Sequence, residues 1–122
     1  MRNSVVFDTN ILVYFFEGNI HAAKLLERME YFLSSISYVE ISSDLKTTPQ
    51  KRQLIKDFLS ATTIIHTNTH ICEIAAKFRL TYAIKLPDAI IAATAQYAGF
   101  PLITADTAFF KIKEIEIIPF TK

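Results

Sequence analysis

Four acidic residues occupy places in the sequence from which carboxylates could be gathered for chemistry. Asp8 ends the short apolar run 4–7, and Asp106 follows a second short run at 102–104. Glu40 lies about one turn into a helix predicted after the second strand, and Asp88 lies in the first turn of a later helix. Strand-to-helix turns share one edge of a parallel sheet, where ligands bind. We therefore expect Asp8, Glu40 and Asp106 at that edge, with Asp88 joining them if its helix begins there.

Carboxylates that converge in this way would favour a metal ion. Two of them about 6 Å apart repel by roughly 3 kcal/mol at an effective dielectric constant near 20. The cluster would take up protons unless a cation lay among its members. Hard oxygen ligands select Mg²⁺ or Mn²⁺, and such a site suits phosphodiester hydrolysis. Thr9, Asn10 and Thr104 adjoin the acids, and we expect them to orient the carboxylates or a water.

Three of the acids also have a purely structural explanation. Asp8 could be no more than a helix N-cap. Asp88 follows Pro87 in a first helical turn, where a negative charge favours the helix dipole without any chemistry. Asp106 could simply begin a turn. Each acid taken alone is a weak signal, and their joint placement on one rim is a stronger one.

Glu40 carries more information than the other acids. Its neighbours Tyr38, Val39 and Ile41 suggest a mostly buried helix face. An acid on such a face usually needs a partner. The sequence therefore predicts that Glu40 points towards another polar group.

Strand and helix patterns alternate along the chain. This alternation predicts an α/β fold, in which helical crossovers join about five parallel strands into a three-layer α/β/α sandwich. The predicted strands cover 4–7, 31–36, 62–66, 102–104 and 115–119. The predicted helices cover 9–16 and 88–98, with others beginning near Asn19, Ser37, Pro49 and Asn68 or Thr69.

Length and composition set further bounds. The 122 residues suit a single domain spanning 1–122, and 51% hydrophobic residues can form a sizeable core. A formal net charge of +1 argues neither for nor against nucleic acid. Cys72 is the only cysteine, which excludes an internal disulfide and a cysteine-based zinc cluster, and we expect it to be a small core residue. No run approaches 18 apolar residues, so we expect a soluble, cytoplasmic protein without a membrane span.

Four segments carry a resemblance to a known family. They are VFDTNIL at 6–12, SYVEI at 37–41, LPDAIIAATA at 86–95 and LITADTAF at 102–109. In this order, they resemble the signature motifs of the PIN-domain nucleases. The likeness is greatest to the VapC-type toxins of bacterial and archaeal toxin–antitoxin pairs.

The resemblance implies a fold, an activity and a set of partners. It implies strand order 3-2-1-4-5, and endoribonuclease activity that depends on Mg²⁺ or Mn²⁺. Asp8, Glu40, Asp88 and Asp106 would be the catalytic and metal-binding acids, with Thr104 as a polar helper. The family usually forms homodimers and is held inactive by an antitoxin, of the VapB type or another. Segment 83–85 lacks the glycine often found near there.

Other interpretations remain open at this point. The chain could be a housekeeping PIN-domain RNase without an antitoxin, or an inactive PIN fold that serves as a binding module. It could also be a phosphoacceptor domain, although no second Asp closely follows Asp8. Basic residues near the second motif could follow an RNA backbone, or could simply form a solvated helix face. They are Lys46, Lys51, Arg52 and Lys56.

Overall fold

A computed structural model describes residues 2–122 as strands that alternate with helices. The strands are β1 (Ser4–Phe7), β2 (Glu30–Ser34), β3 (Ile64–Ile65), β4 (Leu102–Thr104) and β5 (Ile117–Pro119). The helices are α1 (Thr9–Phe16), α2 (Ile20–Arg28), α3 (Ser35–Ser42), α4 (Pro49–Ser60), α5 (Thr69–Tyr82) and α6 (Leu86–Ala98). A short 3-10 helix, Thr107–Phe109, follows β4. None of the helices within residues 2–122 is long and apolar enough to cross a membrane.

The strands form one parallel sheet in the order β3-β2-β1-β4-β5. The predicted α/β class and strand order are therefore confirmed. β1 lies at the centre, with Phe7 in register with Ile103 of β4. The backbone N–H of Asp8 continues this pairing by donating to the Ile103 carbonyl at 3.0 Å. The end of β1 is thus fixed against the end of β4.

Both faces of the sheet are covered, as the three-layer prediction requires. Side chains alternate along a strand, so neighbouring residues enter opposite cores. Val6 and Leu102 join the core built with α5 and α6. Val5 and Phe7 join the core on the other face, which α1, α2 and α4 also supply. A strand buried on both faces cannot shift its register by one residue without disrupting both cores.

Several local predictions need correction. β2 ends at Ser34, because the Ser34 side chain accepts the Ile36 N–H at 3.1 Å and caps α3 two residues earlier than predicted. The third strand contains only Ile64–Ile65, and the fifth begins at Ile117. Cys72 was predicted to be a core residue and is instead exposed on α5.

The residue that ends α5 has a backbone conformation that is unfavourable for any residue except glycine. Ala83 has φ of +54°, in the left-handed region, where the sequence lacks a glycine. This conformation costs an L-residue roughly 1–2 kcal/mol, and a glycine at the position would avoid that cost. Glycine would lose part of this advantage because it has more conformational freedom in the unfolded chain. We expect Ala83→Gly to raise the free energy of unfolding by about 0.5–1 kcal/mol, measured by urea denaturation.

Gly99 offers a matched reverse test of the Ala83 conformation. It ends α6 with φ of +75°, and no atom lies within 4 Å of the place a Cβ would take. Gly99→Ala should therefore destabilise the protein by about 1 kcal/mol through backbone conformation alone. A lower denaturation midpoint for Ala83→Gly than for the wild type would contradict this explanation.

Candidate active site

The strand order places a crevice at the carboxyl ends of β1 and β4. The chain runs outward from β1 in one direction to β3, and in the other through β4 to β5. Ligands bind in open α/β sheets where the strand order reverses in this way. A cleft of about 370 Å³ lies at this point, and we call it the acidic cleft. Its lining comprises Asp8, Thr9, Asn10, Val13, Glu40, Ile41, Asp44, Asp88 and Asp106.

The structure brings all four sequence-predicted acids together in the acidic cleft. Asp8 follows β1, and Asp106 follows β4. Glu40 extends from α3, and Asp88 lies in the first turn of α6. The sequence left open whether α6 begins at this edge, and the structure shows that it does.

Thr104 connects two of these acids below the floor of the cleft. Its hydroxyl is fully buried and donates to Asp8 Oδ2 at 2.8 Å. The same Oγ1 accepts the backbone N–H of Asp106 at 3.0 Å. One threonine thus fixes the Asp8 carboxylate and the turn that carries Asp106.

A second threonine holds Glu40 in a similar way. Thr9 Oγ1 donates to Glu40 Oε1 at 2.6 Å and lies 2.8 Å from Ser37 Oγ. Because the single Thr9 proton goes to the carboxylate, Ser37 must donate to Thr9. Ser37 is fully buried, so the chain Ser37–Thr9–Glu40 begins in the core and ends in the cleft.

The environment of Glu40 differs from the prediction. Tyr38 and Val39 are 44% and 60% exposed, and only Ile41 of its close neighbours is buried. Glu40 is itself an exposed residue. The prediction of a buried helix face is wrong, because apolar residues on α3 remain at the surface. The expected polar partner is nevertheless present in Thr9.

The surroundings of the acidic cleft disfavour the ionised form of two of its carboxyl groups. Burial raises the pKa of Asp8 from its ordinary value of 3.8 to about 6, while the Thr104 hydroxyl opposes the shift. The carboxylates of Asp88 and Asp106 raise the Asp8 pKa further. The pKa of Asp88 is also raised, chiefly by burial and then by Asp106 and Glu40, and Lys85 opposes this shift.

Two polar residues of the site were missed in the sequence. Asp44 is a fifth acid of the cleft, and its backbone lies beyond the end of α3. Ser37 supports Glu40 through Thr9. Spacing could have indicated Ser37, which lies three residues before Glu40 and so on the same face of α3. Asp44 lies in the loop after α3, where helical spacing gives no guide. Asn10 lines the cleft as an exposed side chain.

The donor set of the acidic cleft suits a hydrated divalent cation. Within residues 2–122, no three acidic, histidine or cysteine side chains converge closely enough to enclose an ion directly. Mg²⁺, however, keeps several of its waters in proteins and needs only one or two carboxylates besides the substrate phosphate. The cleft offers carboxylates from several elements, and no basic residue is among its lining. Such a cation would relieve the repulsion that raises the pKa of Asp8 and Asp88.

A parallel α/β sandwich with a carboxylate cleft at its switch point has the ligand position and the donors that metal-assisted phosphodiester hydrolysis requires. A sequence model of the PIN domain family matches residues 5–115. The chain therefore belongs to the PIN domain family, whose members are nucleases, and the sequence-based recognition is confirmed.

Solved structures agree with this assignment. A chain of a toxin–antitoxin complex from Klebsiella pneumoniae is 35% identical with a TM-score of 0.82, and the match covers 93% of this chain and 95% of that one. A chain of VapBC2 from Rickettsia felis is 23% identical, with a TM-score of 0.84 and coverages of 97% and 99%. A chain of VapBC from Salmonella typhimurium is 19% identical, with a TM-score of 0.81 and coverages of 98% and 98%. The two lower identities support the fold alone. Among curated proteins, no sequence matches this one.

Proposed function

We propose that this protein is an endoribonuclease that depends on Mg²⁺ or Mn²⁺, and that it is the toxin of a type II toxin–antitoxin pair. The observation that carries the proposal is the convergence of Asp8, Glu40, Asp88 and Asp106 in one cleft without a basic residue in its lining. A resident cation would offset these negative charges and would allow an anionic phosphodiester to approach the cleft.

The toxin role is supported by the similar structures. The Klebsiella pneumoniae chain, which is 35% identical to this one, comes from a toxin–antitoxin complex. By extension, the partners of this protein are RNA, an antitoxin of the VapB type or another, and a second copy of the chain in a homodimer. The cytoplasm is the location that fits these partners.

Each residue of the cleft has a proposed task in phosphodiester hydrolysis. Asp8, Glu40, Asp88 and Asp106 would hold the cation, which supplies Lewis-acid activation of water and charge stabilisation on phosphate oxygens. Thr104 orients Asp8, and Thr9 orients Glu40. Asn10 is placed at the exposed rim to orient the substrate or a water.

A cleavage assay tests the nuclease proposal. Purified protein should cut single-stranded RNA when Mg²⁺ or Mn²⁺ is added, and should leave the RNA intact in EDTA. The ends of the products, mapped by sequencing, would give the cleavage position. Intact RNA under all conditions, from a preparation with native circular dichroism, would favour an inactive PIN fold that serves as a binding module.

The toxin role requires a separate experiment in cells. Induced expression should arrest growth, and co-expression of a small antitoxin encoded by an adjacent reading frame should restore it. Harmless expression of a protein that cleaves RNA in vitro would favour the alternative of a housekeeping PIN-domain RNase.

The hydrogen-bond chain to Glu40 gives a prediction at one position. Thr9→Val keeps the shape of the side chain but removes the hydroxyl that holds Glu40. Loss of a group that orients a metal ligand typically costs 10–100-fold, so we expect kcat to fall by about that factor. Thr9→Ser, which keeps the hydroxyl, should retain most of the activity. An equal loss in both variants, measured under single-turnover conditions, would show that the hydroxyl is not used.

A further inference from the structure

A second depression lies next to the acidic cleft, between α3 and α4. We call it the α3–α4 groove, and its volume is about 280 Å³. Residues at matching helical spacings supply its two sides. The lining comprises Tyr38, Ile41 and Ser42 from α3, and Arg52, Ile55 and Lys56 from α4.

The α3–α4 groove has an apolar floor and a polar rim. Ile41 and Ile55 are only 6% and 3% exposed and form its buried part. Tyr38 is 44% exposed, so part of its ring is open to solvent. Arg52 and Lys56 are exposed on the opposite helix. An aromatic ring thus lies across a narrow groove from two cations.

The charge of the groove is uniformly positive. No acidic residue is among its lining. Asp57 is the only acid within α4, and it accepts a hydrogen bond from Gln53 at 2.8 Å. Lys51, Arg52 and Lys56 outnumber it on the same helix. The groove therefore attracts an anion, whereas the neighbouring acidic cleft repels one in the absence of a cation.

The groove and the acidic cleft share a wall. Ile41 lines both, and the adjacent Glu40 points into the acidic cleft. A ligand long enough to extend from one depression to the other would meet carboxylates first, and then the cations and the tyrosine. A polynucleotide strand presents phosphates, which the cations would attract, and flat bases, which could stack on the tyrosine.

We propose that the α3–α4 groove binds a nucleotide of a single-stranded RNA substrate next to the phosphate that is cleaved. The base would stack on Tyr38, and a flanking phosphate would contact Arg52 and Lys56. This inference rests on the proposed endoribonuclease function and adds a substrate-binding site outside the acidic cleft.

The size and charge of the groove favour RNA over a protein partner. Its volume lies just below the range of about 300–1,000 Å³ for small-ligand pockets, which suits a single nucleotide better than an extended protein segment. Two cations on one rim complement a phosphate backbone. Val39 and Leu54 are exposed on the same two helices, so an interface with a second copy is the competing outcome.

The test is an RNA-binding assay with a matched charge control. All proteins carry Asp8→Asn to prevent cleavage, and a fluorescein-labelled single-stranded RNA of random sequence is titrated by fluorescence anisotropy in Mg²⁺ at several salt concentrations. The test variant is Arg52→Gln/Lys56→Gln. The control is Lys24→Gln/Arg28→Gln on α2, which removes the same charge from exposed residues far from the groove in the fold.

We expect the groove variant to bind RNA at least about tenfold more weakly than the control, and its slope of log affinity against log salt to decrease by roughly 0.7, the value for one lost phosphate contact. Tyr38→Leu should weaken binding on the order of tenfold, while Tyr38→Phe should bind as the parent does, because only phenylalanine keeps a stacking face.

Three results would overturn the groove proposal. Equal RNA affinity and salt slope in the groove variant and the control would exclude a role in RNA binding. Unchanged RNA binding together with a shift from dimer to monomer in sedimentation would identify the groove as an interface between copies. Absence of RNA binding by the Asp8→Asn parent, together with absence of cleavage by the wild-type protein, would reject the endoribonuclease function itself. Cleavage by the wild-type protein, with RNA binding unaffected by the groove substitutions, would reject the groove alone.

Discussion

Asp8→Asn should remove RNA cleavage while the protein remains folded. Asp8 lies at the centre of the acidic cleft, where the Thr104 hydroxyl fixes it and the other acids surround it. Asparagine preserves the shape and can still accept the Thr104 hydrogen bond, but it lacks the charge that would hold a cation. Removal of one preorganised electrostatic group commonly costs 10²–10³-fold, so we expect the cleavage rate to fall by at least about 100-fold.

A matched substitution controls for the loss of a carboxylate as such. Glu73→Gln makes the same change from carboxylate to amide on the exposed surface of α5, outside both the acidic cleft and the α3–α4 groove. Its cleavage rate should stay within about twofold of the wild type, since exposed substitutions away from special features have small effects. Comparable rates for wild type and Asp8→Asn would reject Asp8 as a catalytic residue.

Asp8→Asn should also stabilise the metal-free protein at neutral pH. The pKa of Asp8 is about 6 in the folded protein and near 3.8 in an unfolded chain. The folded state therefore holds the proton more tightly, and the contribution of Asp8 to stability is lost as pH rises from about 4 through 6. Two pKa units correspond to about 3 kcal/mol, so Asp8→Asn should gain up to about 3 kcal/mol at pH 7.5 in EDTA.

Urea denaturation across pH isolates the effect of Asp8. The difference in unfolding free energy between Asp8→Asn and the wild type should be near zero at pH 4 and should grow until it levels off above pH 6. Added Mg²⁺ should then stabilise the wild type, by about 2.7 kcal/mol at 100 times its dissociation constant, and should stabilise Asp8→Asn less. A difference that stays constant with pH would show that Asp8 is not destabilised by its surroundings.

The fold and the convergence of the acids could be predicted from the sequence, because the local patterns for strands, helices and turns all indicated the same arrangement. The apolar run before Asp8 is buried on both faces, and such runs are typical of parallel strands. Pro87 placed the start of α6 to within two residues, since proline suits a first helical turn. Parallel strands that end in polar turns leave few alternatives for where Asp8 and Asp106 can lie.

The surroundings of these residues were harder to predict, because they depend on tertiary packing. Tyr38 is exposed because α3 faces a groove there and not a core, and Val39 is exposed on the same helix. Asp44 reaches the acidic cleft from a loop whose path no periodicity describes. β2 ends early because the Ser34 side chain caps α3 by accepting the Ile36 N–H. The residue type alone does not decide whether a serine continues a strand or caps a helix.

The hydrogen bond between Thr104 and Asp8 also bears on how the molecule is made by the ribosome. The two residues are 96 positions apart, so the chain must be nearly complete before they can meet. Domains emerge from synthesis with the N-terminal part first, and contacts this distant form late. β4 must pair with the free edge of β1 before Asp8 acquires its buried partner, and β5 adds to β4 after that. A nascent chain that ends before Leu102 thus carries four of the five cleft acids but no finished acidic cleft. With the proposed endoribonuclease activity, the protein would be harmless to the transcript that encodes it until translation is almost over.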